Sequence, residues 1–149
     1  MHAFVLAVHN ILRWVVLLTA VVALIRSFRG LATGAPWTRR EALSLSAYAG
    51  MLSLQMLLGL FLYFFLSPVG MRALRDMGAA MSDPNVRFFA IEHPIAMMLA
   101  VGLAHVAVQR SRKASTDASR FRNAAILVSL SLLLVLARLP WARPMFPSF

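Results

Sequence analysis

The chain is predicted to be all-α, a four-transmembrane-helix antiparallel bundle in a single domain over residues 1–149, and three observations predict it. Hydrophobic residues make up 60% and charged residues only 13% of the 149, and the mean hydropathy is +0.75, more apolar than a soluble domain of this size. Apolar residues fall into four runs, at about 3–25, 42–66, 88–108 and 124–141, each near the ~20 residues that cross ~30 Å of hydrocarbon at ~1.5 Å per residue. Basic residues gather in alternate connections.

The first run is read as a span and not a cleaved signal, because no basic segment precedes it and Arg13 interrupts its apolar centre. In lipid the backbone must satisfy its own hydrogen bonds, so each run is a helix, and short connections make successive helices antiparallel neighbours. The first connection holds Arg26, Arg29, Arg39 and Arg40, and the third holds Arg110, Arg112, Lys113, Arg120 and Arg122. The middle connection, 67–87, is the only long one. Its Arg72, Arg75 and Arg87 are offset by Asp76 and Asp83, and the tail adds Arg143. The bias places connections one and three in the cytoplasm, with both termini and the middle connection on the outer side. Within that middle connection, Met71, Leu74, Met77 and Met81 recur at helical spacing among Arg72, Arg75 and Asp76. They predict a surface helix at about 70–81 that covers a site at that end. Ser82-Asp83-Pro84-Asn85 then supplies turn and cap chemistry before the third span.

The net charge of +10 is thus a topology signal directed at lipid headgroups. No basic soluble domain exists to dock on a duplex, so nucleic acid is not an expected partner. The absence of cysteine excludes disulfides, thiolate zinc sites, iron–sulfur clusters and thioether-linked haem, leaving His, Met or carboxylate as metal ligands. No nucleophile–base pair, phosphate loop or carboxylate dyad offers hydrolytic or phosphoryl-transfer machinery.

Ionisable groups inside spans are costly and usually face the bundle interior. Here they and their polar companions are His9, Asn10, Arg13, Gln55, Glu92, His93, His105 and Arg138. His9 lies about six residues into the first helix and His93 about five into the third, counted from the outer end, so both rings sit roughly 8–9 Å below their helix starts. Two imidazoles at one height on facing helices suit a haem iron or another metal clamped between them. The competing account makes each an interfacial histidine bonded to a neighbouring helix. His105, about 18 Å beyond His93 and roughly 120° around the helix, is read as a hydrogen-bonding or proton-handling residue; a second haem there would need Met51 or another unusual ligand. His2 is read as a surface residue. Arg13, one turn below His9, and Arg138, at the outer end of the fourth span, are candidate contacts for haem propionates or a quinone oxygen. Glu92 pairing with Arg138 or Arg87 as a bundle staple is the alternative. Pro94 either bends the third helix or marks its first turn. Trp14, Trp37, Tyr48, Tyr63, Trp141, Phe146 and Phe149 are read as interfacial or lipid-facing aromatics. The nine methionines are read as packing.

His9-Asn10-Ile11-Leu12-Arg13-Trp14, Arg87-Phe88-Phe89 with Glu92-His93, Ala104-His105, and Arg138-Leu139-Pro140-Trp141 with Pro144-Met145-Phe146-Pro147 resemble a family of small bacterial four-helix membrane proteins commonly labelled cytochrome b or cytochrome b-like. The likeness runs nearly end to end, with Pro94 after Glu92-His93 a departure from the family's pattern. It implies one haem b with His9 and His93 as axial ligands, in a multi-pass protein of the bacterial inner membrane. The expected function is electron transfer between the quinol pool, or a redox partner, and an acceptor, as a carrier or a small haem-dependent membrane oxidoreductase. Two readings from other classes stand beside it. One is a non-catalytic accessory subunit of a larger respiratory or photosynthetic complex; such a complex, or further copies of the chain in a homo-oligomer, are the expected protein partners. The other is a small-ligand or ion carrier using Arg13 and Glu92.

Overall fold

The computed structural model describes residues 1–141; Arg143, Phe146, Phe149 and the Pro144-Met145-Phe146-Pro147 motif lie outside the described residues. Among those residues every regular element is helical. Four helical stretches are long and apolar enough to cross a membrane: His2–Thr33, Arg39–Leu66, Pro84–Lys113 and Asp117–Ala137.

The first of these, α1 (His2–Thr33), runs well past residue 25. Nothing in Arg26-Ser27-Phe28-Arg29 breaks a helix, and it stops only where Gly34 turns left-handed (φ 63°) and its N–H reaches the Gly30 carbonyl. Basic residues assigned to a loop therefore ride on the helix end. Thr38 and Glu41 form a reciprocal capping box that starts α2 (Arg39–Phe61). A π-turn, Leu62–Leu66, closed by the Ser67 N–H on the Leu62 carbonyl at 2.7 Å, ends that span.

The middle connection folds as three short helices, α3 (Pro68–Arg75), α4 (Met77–Ser82) and α5 (Pro84–Arg87). The expected surface helix is thus divided at Asp76, which leaves helical geometry (φ −146°) and accepts from the Ala79 N–H at 2.9 Å as the cap of α4. Its orientation also differs from what an apolar stripe suggests. Gly70, Ala73, Ala80 and Val86 are buried, while Met71, Leu74, Met77 and Met81 are exposed. Small residues let this cap lie close on the bundle, and the larger ones point away.

Asp83 caps α5, accepting from the Asn85 and Val86 N–H groups, and Pro84 takes the first helical position, where its missing donor costs nothing. A second π-turn, Phe88–Glu92, leads directly into α6 (His93–Lys113). Its His93 N–H reaches back to the Phe88 carbonyl. Pro94 accounts for that register: in a regular α-turn its ring would collide with the Ala90 carbonyl, and it has no N–H to donate there. The third helix therefore begins at Pro84, several residues before the expected 88. Thr116 caps α7 (Asp117–Ala137), accepting from the Ser119 N–H at 3.2 Å. The last helix ends at Ala137 and not at 141, because Pro140 cannot continue it and disfavours helical geometry at Leu139.

Helix α1 packs against α2 and α7, and α6 packs against the same two, so α1 and α6 stand diagonally across the bundle. The register is antiparallel: Arg26 meets Glu41 near one end of the α1–α2 pair, and His9 meets Gln55 toward the other. The core is built largely from small residues, with Ala20, Ala100, Ala104, Ala107 and Ala124 fully enclosed. Leu18, Leu57, Leu99 and Leu133 remain 56–64% exposed. In water such a surface would be costly at ~25 cal/mol per Å²; facing lipid tails it costs nothing.

A candidate cofactor cavity between diagonal helices

The connections at 34–38 and 114–116 close one end of the bundle, and a cavity of about 760 Å³ occupies the other. All four spans and the cap contribute walls, and most of the lining is apolar. Its size lies within the range of ~300–1,000 Å³ typical of small-molecule and cofactor sites.

From α1 come His9, Asn10 and Arg13; from α2 come Gln55, Met56 and Gly59; the first π-turn adds Tyr63, and α6 adds His93, Pro94 and Met97. His9 and His93, from diagonal helices, thus line one space. The His93 Nδ1 is 2.8 Å from the Arg138 carbonyl oxygen. A carbonyl only accepts, so Nδ1 carries the proton and the Nε2 lone pair is left available. That is the arrangement that orients a metal-ligating imidazole. Phe88 and Phe89 flank the same ring, at centroid distances of 6.0 and 6.5 Å.

His9 is held differently. Gln55 Nε2 donates to the His9 backbone carbonyl at 2.9 Å, tying α1 to α2 at this level. Its ring lies over Gly59, where an added Cβ would come within 3.1 Å of His9 Cε1. The His9 Nδ1 and the Gln55 Oε1 are buried without a protein hydrogen-bond partner. Each such group costs about 1–3 kcal/mol unless something else engages it.

Arg13 is only 5% exposed, lines the cavity, and has its guanidinium carbon 5.8 Å from the Trp14 ring centroid. Arg138 contributes its carbonyl to His93, while its guanidinium lies 3.8 Å from Glu92. Glu92 also accepts from Arg87 Nε at 3.0 Å, so the carboxylate bridges both arginines as a staple. His105 lies away from the cavity, its Nε2 bonded to Ser53 Oγ at 2.9 Å between α6 and α2. His2 belongs to the cavity lining.

One aromatic assigned to an interfacial belt is placed elsewhere. Tyr48 is fully buried in mid-bundle, its hydroxyl 2.7 Å from Ser131 Oγ, which in turn donates to the Ala100 carbonyl at 2.7 Å. Trp37 packs edge-on against Phe121 at 4.9 Å. Gln55 and Gly59 received no site role from the sequence. Their spacing of one helical turn puts them on one face, and that is the signal that marks them.

Among the described residues, no group of three or more His, Cys, Asp or Glu side chains converges as a metal site. A closed site with three or four protein ligands is therefore not formed here, whereas a haem brings four nitrogens of its own and asks the chain for two. His9 and His93 are the two residues that would hold such a group: both line the cavity, and the His93 imidazole is oriented by a carbonyl, while the Nδ1 edge of His9 packs beside Gly59. No known protein family, no curated protein and no solved structure matches this chain.

Proposed function

We propose that this is a b-type cytochrome of the bacterial inner membrane, holding one haem b between α1 and α6 through His9 and His93. It passes electrons between the quinol pool, or a redox partner, and an acceptor. The observation that carries the reading is the placement of two histidines from diagonal helices on one largely apolar cavity, with His93 Nδ1 bonded to a backbone carbonyl. When bound, haem supplies the one-electron chemistry. Arg138 fixes the ring direction of His93 through its carbonyl. Gln55 anchors the turn that carries His9, and Gly59 leaves room for its imidazole. Arg13, buried on the cavity wall, would neutralise an anionic substituent such as a propionate, and the apolar walls exclude water. The basic helix ends around residues 26–40 and 110–122 orient the bundle with that end in the cytoplasm and the cavity toward the outer face.

The test is the absorption spectrum of detergent-purified protein from haem-replete cells. A Soret band with the sharp reduced α-band of bis-imidazole haem b is expected. It should be lost in His9→Ala and in His93→Ala and retained in His105→Ala. A colourless preparation overturns the proposal and leaves a packed accessory subunit of a larger complex as the better account.

A further inference from the structure

The cap formed by α3 and α4 presents an unusual outer face. Met71, Leu74, Met77 and Met81 are 37–53% exposed, and Arg72 and Arg75 are exposed among them without an ion pair among the described residues. The nearby acids have other work, since Asp76 and Asp83 accept from backbone N–H groups at the starts of α4 and α5. In the chain this face follows directly on the apolar residues at the end of the second span, where Leu57, Phe61, Phe64 and Phe65 are 41–67% exposed. Gly70 packs so tightly on the Tyr63 backbone that α3 is held against the end of that span.

We infer that this cap is seated in the phospholipid interface, with Met71, Leu74, Met77 and Met81 among the upper acyl chains and Arg72 and Arg75 on lipid phosphates. An apolar face interleaved with arginines is the composition of interfacial segments. The long arginine side chains can reach outward while their stems remain in apolar surroundings. The continuity with the lipid-facing surface of the second span favours lipid over a water-borne partner. Because Ser67 and Val69 at the start of the cap line the cavity, lipid would hold one wall of that space in position. The inference does not depend on what the cavity binds.

The chain has no cysteine, so single nitroxide labels can be introduced at Leu74→Cys and Met81→Cys without background. Leu57→Cys serves as a lipid-exposed reference and Ser115→Cys as an aqueous one. In phosphatidylcholine–phosphatidylglycerol vesicles, collision with oxygen and with a water-soluble nickel chelate reads the depth of each label. The cap labels are expected to be shielded from nickel, close to Leu57 and far from Ser115. Arg72→Gln with Arg75→Gln should then raise nickel accessibility at both. Cap labels as open to nickel as Ser115 would overturn the inference and point to a water-facing docking surface. Shielded labels indifferent to the double substitution would overturn the phosphate contacts. Both labelled positions are already exposed, so the substitutions leave cap packing intact.

Discussion

Gly70→Ala tests whether the cap is held by direct backbone contact with the first π-turn. A Cβ at residue 70 would collide with the Tyr63 carbonyl oxygen and lie 2.9 Å from its carbonyl carbon and 3.1 Å from its Cα. Carbon contacts are comfortable only near ~3.5 Å, and backbone atoms cannot rotate aside as a side-chain tip can. Either the cap withdraws by roughly 1 Å or the π-turn rearranges. Overpacking of this kind costs about 1–3 kcal/mol, from which the better helix propensity of alanine recovers up to ~1 kcal/mol. A net loss of about 1–2 kcal/mol is expected, or roughly 5–30-fold in an equilibrium constant.

That loss should appear locally. Beneath the cap lies a small cluster of its own, Ala73, Ala80, Val86 and Ala90 with Tyr63, Val69 and Ile91, separate from the main core. Regions with so little buried apolar surface open without global unfolding. When opening is fast relative to cleavage, proteolysis reports the open population. Limited trypsin digestion in detergent should therefore cut after Arg72 and Arg75 about 5–30 times faster in Gly70→Ala than in the parent. Gly50→Ala, where an added Cβ meets nothing within 4 Å, is the control and should leave the rate unchanged. Equal rates in Gly70→Ala and the parent would refute the idea that this contact secures the cap.

Two further predictions concern polar groups inside the bundle. Ser131→Ala removes both bonds of the serine hydroxyl and strands a fully buried Tyr48 hydroxyl, costing about 1–3 kcal/mol. Tyr48→Phe leaves Ser131 on the Ala100 carbonyl and should cost about 1 kcal/mol or less. Unfolding in mixed micelles should rank the two in that order, and the reverse order would refute the account. Arg138→Gln keeps the backbone carbonyl that orients His93 and loses only a 3.8 Å contact between partly exposed groups, worth under ~1 kcal/mol. Stability and the spectrum should both be retained; a lost spectrum would assign the guanidinium a direct role at the cavity.

The four long helices were legible because hydropathy and length are properties of contiguous sequence. Their ends were less so: α1 continues to Thr33 and α6 to Lys113, since charged residues leave the hydrocarbon without leaving the helix. That His9 and His93 belong to one space was also readable, although the residue count behind it was not exact, since the third span begins at Pro84 and not at 88. Their separation across a diagonal was not, because it depends on which helices become neighbours. The cap was legible in part. The Met and Leu stripe marked a surface helix, but it did not mark the residues that hold that helix down: Gly70, Ala73 and Ala80 are the buried ones, because the nearest approach to a helix end goes to residues with little or no side chain. Tyr48 was assigned to the interface by type alone, and its partner Ser131 lies 83 positions away in the chain.

The two ends of the bundle are built on opposite rules, and the cavity follows from the difference. Along α6, Ala100, Ala104 and Ala107 are fully buried and meet a core that includes Ala20, Ala23, Ala49 and Ala124. Small side chains at such positions bring helices close, as they do in membrane bundles generally. Toward the other end the facing positions carry His9, Arg13, Tyr63, Phe89, His93 and Met97, too large and too polar to mesh in the same way. Both π-turns fall at that end, one closing the second span and the other immediately before His93. Each π-turn accommodates one extra residue, which swings whatever lies beyond it by about 100° around the helix axis. The second therefore lets the residues leading from the cap meet the bundle on one face while His93 turns onto the cavity. Helices clamped together by alanine at one end and released by π-turns at the other leave a largely apolar space, with His9, Arg13 and His93 on its wall, without sacrificing a close-packed core.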